Sequence, residues 1–217
     1  DGAAGPVELV VRPAAEADLA DLVDLAARTF PDACPPFLTA EQIARHVAAH
    51  LTPGRFAHWL ADPRVVVTVA ALGRDTATRG GRVASGELIG YSAVLAELPD
   101  SAGAPLAGMD PRPEAVEVSP RADGSAGLAA ELSKVYVDAR LRSSGVAATL
   151  LDRAIGDAAA MGATTLWLGT HERNRRAQKA YRRRGFRLLG SRTYDVGGQT
   201  CRDVVMSLNP QEVHNER

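Results

Sequence analysis

Predicted strands and helices alternate through the second half of the chain, and this alternation limits the available folds more than any other feature of the sequence. Strand patterns cover residues 131–138 and 164–170, and helix patterns cover residues 144–161 and 174–184. A glycine follows each helix directly, and glycine commonly ends helices. Together with the strands that precede it, this order predicts a mixed α/β sheet rather than a helical bundle or a β-sandwich.

The remaining elements extend the same pattern. Two more strands are predicted over residues 186–196 and 200–208, and the glycine pair 197–198 between them is a recognised hairpin signal. In the first half, Thr39 followed three positions later by Gln42 predicts a helix that begins with a capping box. The other first-half predictions are strands over residues 7–11, 64–72 and 87–98 and helices over residues 16–29, 39–51 and 52–61.

The length of 217 residues suits a single domain over residues 1–217, because most domains hold about 100 to 200 residues. Residues 99–130 are rich in proline, glycine, alanine and serine, and they form a longer structureless stretch than compact domains usually contain. We interpret them as an insertion or flexible loop within the one domain. The tail, residues 209–217, is expected to be frayed.

Composition excludes several classes of protein. The formal net charge of −1 argues against a nucleic-acid partner, because such proteins are usually visibly basic. Cys34 and Cys201 are the only cysteines and lack the spacing of a zinc site, so no metal is assigned. No apolar run approaches the length of a membrane helix, and no leader pattern is visible, so we expect a cytoplasmic protein without a membrane partner. A homodimer is left open.

The junction over residues 135–147 carries the clearest chemical signal. A strand enters a short turn, and the turn opens directly into a helix, whose first turn presents unpaired N–H groups and the positive end of its dipole. Such a helix start binds phosphate readily. Gly145 allows the backbone to approach an anion closely, and Arg142 adds a charge-assisted contact. A plain strand-to-helix turn with a surface arginine is the alternative interpretation.

A second signal follows the next strand. Asn174 can cap its helix, and Tyr181 lies seven residues later, about two turns or 10 Å along nearly the same face. Both side chains can therefore contact one extended ligand beside the helix. The alternative is a capping asparagine and a half-buried tyrosine without a ligand.

Together, the two segments resemble the acyl-CoA-dependent N-acetyltransferases of the GNAT superfamily. The resemblance is close over residues 131–208 and looser over residues 7–98, and the pattern is most similar to the bacterial spermine/spermidine acetyltransferase branch. It implies an α/β (α+β) fold with a mixed, mostly antiparallel central sheet of about seven strands and helices on both faces. It also implies acetyl-CoA as the cofactor and transfer of its acetyl group to a primary amine of a small molecule, with a polyamine as one candidate.

The resemblance also assigns roles to individual residues. Glu131 matches the family's carboxylate base, which would make the amine neutral, and Tyr181 matches the acid that protonates the departing thiolate. We expect the arginine-rich surround of Tyr181 to favour its phenolate, although these arginines could equally bind coenzyme A phosphates or RNA, or form a solvated face. The expected cofactor-binding residues are Val135, Tyr136, Val137, Arg142, Ser143, Ser144, Gly145, Val146, Ala147, Asn174 and Tyr181.

Two other functions stay open at this stage. One is acetylation of a protein N-terminus or lysine, and the other is a catalytically silent acyl-CoA-binding or RNA-binding module. A polycationic acceptor would favour carboxylates around the entrance of the site. The candidates for such carboxylates are Glu41, Glu87, Glu97, Glu114, Glu117, Glu172 and Asp195.

Overall fold

The computed structural model describes residues 7–78, 80–97, 106 and 108–215. Its strands are β1 (Leu9–Pro13), β2 (Val65–Leu72), β3 (Thr76–Thr78), β4 (Gly81–Val83), β5 (Leu88–Ala96), β6 (Ala129–Val137), β7 (Thr165–His171), β8 (Arg187–Val196) and β9 (Gln199–Leu208). Its α-helices are α1 (Leu19–Thr29), α2 (Ala40–His50), α3 (Pro53–Ala61), α4 (Val146–Ala160), α5 (Arg175–Arg182) and α6 (Pro210–Asn215). Among the described residues, no helix has the length and apolar character needed to cross a membrane.

Seven of these strands form one sheet in the order β1-β2-β5-β6-β7-β9-β8. All neighbouring strands in it are antiparallel except β6 and β7, which are parallel. Alternate residues of a strand point to opposite faces, so Val67 and Val69 pack with α1 and α3 while Ala70 and Leu72 pack with α4. The mostly antiparallel seven-stranded sheet with helices on both faces confirms the fold expected from the resemblance.

Local signals in the sequence place the helix starts of the first half. At α2 the Thr39 hydroxyl accepts a hydrogen bond from the Gln42 N–H at 3.2 Å, and the Gln42 side chain accepts one from the Thr39 N–H at 2.9 Å. This confirms the capping box. At α3 the Thr52 hydroxyl accepts from the Arg55 N–H at 3.1 Å, and Pro53 occupies the first helical position. Both helices therefore begin with satisfied backbone groups.

Residues 108–128 lack helices and strands but pack firmly on the sheet. Val116 is fully buried against Trp167 and Val205. The Ser119 N–H donates to the Thr165 hydroxyl at 2.9 Å, and the Thr164 hydroxyl donates to the Ser119 carbonyl at 2.6 Å. These contacts fix the described part of the predicted insertion against β7, while residues 99–105 and 107 lie outside the described residues.

The structure adds one element that the sequence did not predict and corrects one expectation. The link between β2 and β5 contains the β3–β4 hairpin, which is too short and polar to give a strand pattern. The tail is not frayed over residues 210–215, where α6 forms. The Gln211 side chain donates to the carbonyls of Ala159 and Ala163 at 2.9 and 3.1 Å, so α6 satisfies polar groups left at the end of α4.

Candidate active site

Strands β6 and β7 separate from each other partway along the sheet. They pair only from Ala129 opposite Thr165 to Glu131 opposite Trp167, although β6 continues to Val137 and β7 to His171. Beyond Glu131, one edge of β6 remains bonded to β5 and the other faces the gap. Backbone groups along that edge therefore have no strand partner, and an extended ligand can bind to them.

A β-bulge lies where the two strands separate. Lys134 pairs with Ala93 and Leu132 pairs with Val94, so Ser133 is the extra residue on β6. A bulge bends its strand and strengthens the local twist. The bend accounts for the opening of the sheet at this position.

A cavity of about 450 Å³ lies at the gap. Of the residues expected to bind the cofactor, Val135, Tyr136, Asn174 and Tyr181 line it. Val137 instead packs toward α4. The structure thus brings the β6 and α5 parts of the predicted site together around one opening, whereas residues 142–147 are not among the described residues that line it.

Helix α4 begins at the end of the loop that follows β6, and its N-terminus is open. Gly145 is the N-cap residue with φ of +92°, no side chain caps the helix, and its first turn carries no acidic residue. A Cβ atom placed on Gly145 would meet nothing within 4 Å, so the surface in front of these amides is accessible. Free amides at the positive end of a helix form a binding site for an anion such as a phosphate.

The rest of this loop is held in shape by its own contacts. The Asp138 carboxylate accepts hydrogen bonds from the Arg140 N–H at 2.9 Å and from Arg28 Nε at 3.1 Å. The Ser144 hydroxyl donates to the Leu141 carbonyl, so it is not free to donate to a ligand as expected. These bonds fix the path of the backbone into α4.

The remaining loop residues differ in how they can contribute. Arg142 forms an ion pair with Asp32 at 2.9 Å, and both side chains are about half exposed. Ser143 is exposed with φ of +67°, Ala147 is exposed, and Val146 is buried. Arg142 can therefore reach solvent, whereas Val146 can offer only its backbone.

Asn174 caps α5 and Tyr181 lies on this helix, as the sequence predicted. The Asn174 side chain accepts a hydrogen bond from the Ala177 N–H at 3.1 Å, which confirms the cap. Tyr181 is half-buried, and its ring packs edge-on against Phe186 with the centroids 5.6 Å apart. Burial, with a smaller contribution from the charge of Asp203, raises the pKa of Tyr181 to about 12. The expectation that nearby arginines lower this pKa is therefore wrong.

Glu131 occupies a different environment from the one its proposed role requires. It is 2% exposed, its carboxylate accepts a hydrogen bond from the Asp110 N–H at 3.1 Å, and it does not belong to the described cavity wall. Burial, together with the charge of Asp110, raises its pKa to about 7. The structure thus gives Glu131 a perturbed pKa but no surface on the cavity.

Asp203 is a site residue that the sequence reasoning missed. It is 5% exposed, lies on β9 and lines the cavity. Arg192 connects it to the loop before β6, with Nη2 at 3.5 Å from Asp203 Oδ2 and 2.7 Å from Asp110 Oδ2. One signal was available, because Cys201, Asp203 and Val205 alternate as the inward positions of β9 and Asp203 is the only charged residue among them.

The charge of the cavity wall is mixed. Of the seven carboxylates suggested for a polycationic acceptor, only Asp195 lines it among the described residues. Lys134 lies with Nζ 5.9 Å from the centre of the Trp59 ring, and burial lowers its pKa. The wall carries three basic side chains, Arg55, Lys134 and Arg192, and three carboxylates, Asp110, Asp195 and Asp203.

Sequence comparison places this fold and site in a known class. The sequence model of the acetyltransferase (GNAT) family matches residues 19–186. N-acetyltransferases described as uncharacterised, from Mycobacterium tuberculosis and Mycobacterium bovis, are 33% identical to the chain over 189 residues, which is 87% of the chain and 96% of each relative. The chain therefore belongs to the acetyltransferase (GNAT) family. These relatives leave the expected spermine/spermidine branch unconfirmed.

Solved structures share the fold. NAA60 from Arabidopsis thaliana in complex with acetyl-CoA matches with a TM-score of 0.65 at 16% identity, covering 93% of this chain and 98% of that one. The PaiA N-acetyltransferase from Thermoplasma acidophilum in complex with coenzyme A matches with a TM-score of 0.62 at 14% identity, covering 93% and 99%. At these identities the likeness concerns the arrangement of the backbone.

Proposed function

We propose that the protein transfers an acetyl group from acetyl-CoA to a primary amine of a small molecule. The observation that carries this proposal is the gap between β6 and β7, together with the uncapped helix N-terminus that ends the loop following β6. Family membership supplies the reaction class, and the two solved relatives were crystallised with acetyl-CoA and coenzyme A.

In this proposal, the backbone of β6 and the start of α4 hold the cofactor. The diphosphate binds the main-chain amides of Gly145, Val146 and Ala147, and Arg142 releases Asp32 to add a charge-assisted contact. Val135 and Tyr136 offer backbone groups along the open edge of β6. Asn174 mainly fixes the start of α5 and so positions that helix beside the cofactor.

Tyr181 acts as the acid that protonates the sulfur atom. Its pKa of about 12 lies above that of a free thiol, and a full proton transfer to a thiolate of pKa about 8.5 would be uphill by roughly 5 kcal/mol. Burial raises the pKa of the thiolate as well, which narrows this difference. The proton therefore moves to sulfur as the C–S bond breaks, and no free thiolate has to accumulate.

The proposed acceptor is a small molecule with an amine, and it is not a polycation. A cavity of about 450 Å³ has the size of sites that enclose small ligands. Three cationic side chains among the wall residues oppose a polycation, and the wall carboxylates favour an amine. An amine that also carries a neutral or acidic group fits this wall better than spermine or spermidine does.

The test is release of free thiol from acetyl-CoA with polyamines, amino acids, aminoglycosides and peptides as acceptors. Tyr181→Phe should lower kcat by about 10²- to 10⁴-fold and leave the Kd for acetyl-CoA nearly unchanged, because it removes only the proton donor. Tyr91→Phe is the matched control, since Tyr91 is fully buried, lies off the described cavity wall and has an unpartnered hydroxyl among the described residues.

The outcomes separate the alternatives. Turnover with peptides alone would replace the small-molecule acceptor by a protein acceptor. Binding of acetyl-CoA without turnover on any amine would indicate a silent binding module. Equal kcat values for Tyr181→Phe and the wild type would remove Tyr181 as the acid.

A further inference from the structure

We propose that Asp203 is the residue that takes the proton from the acceptor amine. This proposal rests on the proposed acetyl transfer and assigns a catalytic role to a strand that the sequence motifs do not include. Its basis is the position of the carboxylate beside the gap, the space that the neighbouring strand leaves for it, and the sealed position of the competing carboxylate.

The backbone places Asp203 next to the reactive end of the gap. Asp203 pairs with His171 across β9 and β7, and Gly169 lies two residues earlier on β7. The side chains of Glu131 and Asp203 point to the same face of the sheet, toward the side that α1 and α3 cover. A base on this face approaches the amine from the acceptor side, opposite to α4 and Tyr181.

Gly169 provides the space that the carboxylate occupies. A Cβ atom on Gly169 would lie 2.6 Å from Asp203 Oδ2 and 2.5 Å from Arg192 Nη2, which is closer than atoms can approach. The absence of a side chain at this one position therefore lets the ion pair of Asp203 and Arg192 lie over β7 at the edge of the gap. Gly169 itself lines the cavity, so the pair reaches the wall directly.

Glu131 cannot compete for this role in the observed arrangement. Its carboxylate accepts the Asp110 N–H, and it lies behind the described wall rather than on it. Asp110 shares an ion pair with Arg192, so the segment that covers Glu131 is tied to β8. Of Glu131 and Asp203, only Asp203 lies on the described wall that a substrate amine in the cavity would contact.

The charges around Asp203 suit a proton acceptor near neutral pH. Burial is the main cause that raises its pKa to about 6, and the charge of Asp110 acts in the same direction. Arg192 and Lys134 oppose this shift. The other titratable groups that face or flank Asp203 are His171 on β7, Tyr136 on β6, Tyr181 on α5, and Tyr194 and Cys201 on the β8–β9 hairpin.

This pKa determines the direction in which activity changes with pH. Above about pH 6 the Asp203 carboxylate is ionised and can accept a proton, and below that pH it is protonated and cannot. A carboxylate with an ordinary pKa near 3.9 would be a weaker base for the same task. Catalysis should therefore fall as the pH drops through about 6.

The proton balance is complete without another reactant. Asp203 takes one proton from the ammonium group, and the neutral amine forms the C–N bond with the thioester carbonyl carbon. The tetrahedral intermediate loses its second N–H proton as the C–S bond breaks, and Tyr181 delivers a proton to sulfur and is reprotonated from the nitrogen. The products are the acetylated amine and the free thiol, and Asp203 releases its proton to water.

The experiment compares two amines in three proteins. n-Propylamine is an ammonium ion at pH 7.5 and needs a base, whereas methoxyamine is already neutral at this pH. With propylamine, Asp203→Asn should lower kcat/KM at pH 7.5 by about 10²- to 10⁴-fold, and its activity should rise continuously with the fraction of neutral amine instead of levelling off above pH 6. With methoxyamine, kcat/KM of the same variant should fall by less than about tenfold, because this amine is already neutral and does not need the deprotonation step that the variant lacks. Glu131→Gln should keep the pH profile for both amines.

Other results would overturn the assignment. A wild-type enzyme that is active with propylamine, together with a fully active Asp203→Asn variant, would remove Asp203 as the base and leave the proposed function intact. If Glu131→Gln instead lost the levelling-off of activity above pH 6, the role would return to Glu131. Equal losses with both amines would mean that Asp203 supports the structure, and acetyl-CoA Kd and Tm measured for each variant would locate that effect.

Discussion

Replacement of Gly145 by alanine tests whether the start of α4 binds the cofactor diphosphate. Gly145 has φ of +92°, and a Cβ atom there would enter open space. The added methyl group would enter the open space at the start of α4, where a bound anion would lie, without disturbing any packed atom. Gly162, just beyond the other end of α4, has φ of +81° and equally open surroundings. Gly162→Ala is therefore a control with the same strain and no ligand.

The size of both effects follows from this geometry. An L-residue in the left-handed region costs about 1 to 2 kcal/mol, so each variant should lower Tm by roughly 2 to 8 °C in a chain of this length. Only Gly145→Ala should also weaken the binding of acetyl-CoA. Loss of one hydrogen bond from an amide to a charged phosphate costs about 1.5 to 3 kcal/mol, which corresponds to a Kd about 10- to 150-fold higher.

Isothermal titration with acetyl-CoA and thermal unfolding of the free proteins measure the two quantities separately. The expected pattern is a similar Tm loss in both variants and a raised Kd in Gly145→Ala alone. Unchanged affinity in Gly145→Ala, or an equal loss in Gly162→Ala, would refute the argument that these amides face the diphosphate.

Two further substitutions test the interior. Gly169→Ala should displace the Asp203 carboxylate and lower kcat with propylamine by about tenfold or more while acetyl-CoA affinity is kept, and an unchanged kcat would show that the carboxylate has room to move. Thr68→Val should lower the free energy of unfolding by about 1.5 to 3 kcal/mol, because it removes the 2.9 Å hydrogen bond from the buried Thr68 hydroxyl to the buried Asp157 carboxylate. Urea unfolding measures this loss of stability, and a midpoint equal to that of the wild type would contradict the expected loss.

Much of the fold was predictable because its signals are local. The capping box at Thr39 and the glycine pair 197–198 fix a helix start and a hairpin within a few residues, and both lie where the sequence predicted them. The β3–β4 hairpin and α6 were missed because each is short and depends on neighbouring contacts. The Gln211 bonds to the end of α4, for example, join residues about 50 positions apart.

The site was less predictable, because burial and reach depend on distant segments. Glu131 and Asp203 are both carboxylates on strands, and nothing local distinguishes them. Asp110, in a segment without regular structure, covers Glu131, and Gly169 on another strand leaves room for Asp203. The pKa of Tyr181 follows the same principle, since burial and the charge of Asp203 raise it, and Asp203 lies on a distant strand.

In the proposed binding mode, the short contact between β6 and β7 links cofactor binding to the rigidity of the whole sheet. Three residue pairs join the four strands on the β6 side to the three on the β7 side, so this seam is where the sheet can most easily flex. A molecule bonded along the open edge of β6 and against α5 would bridge the two parts of the sheet and restrict their relative motion. Because such a molecule binds the folded state, it also protects the two halves from coming apart.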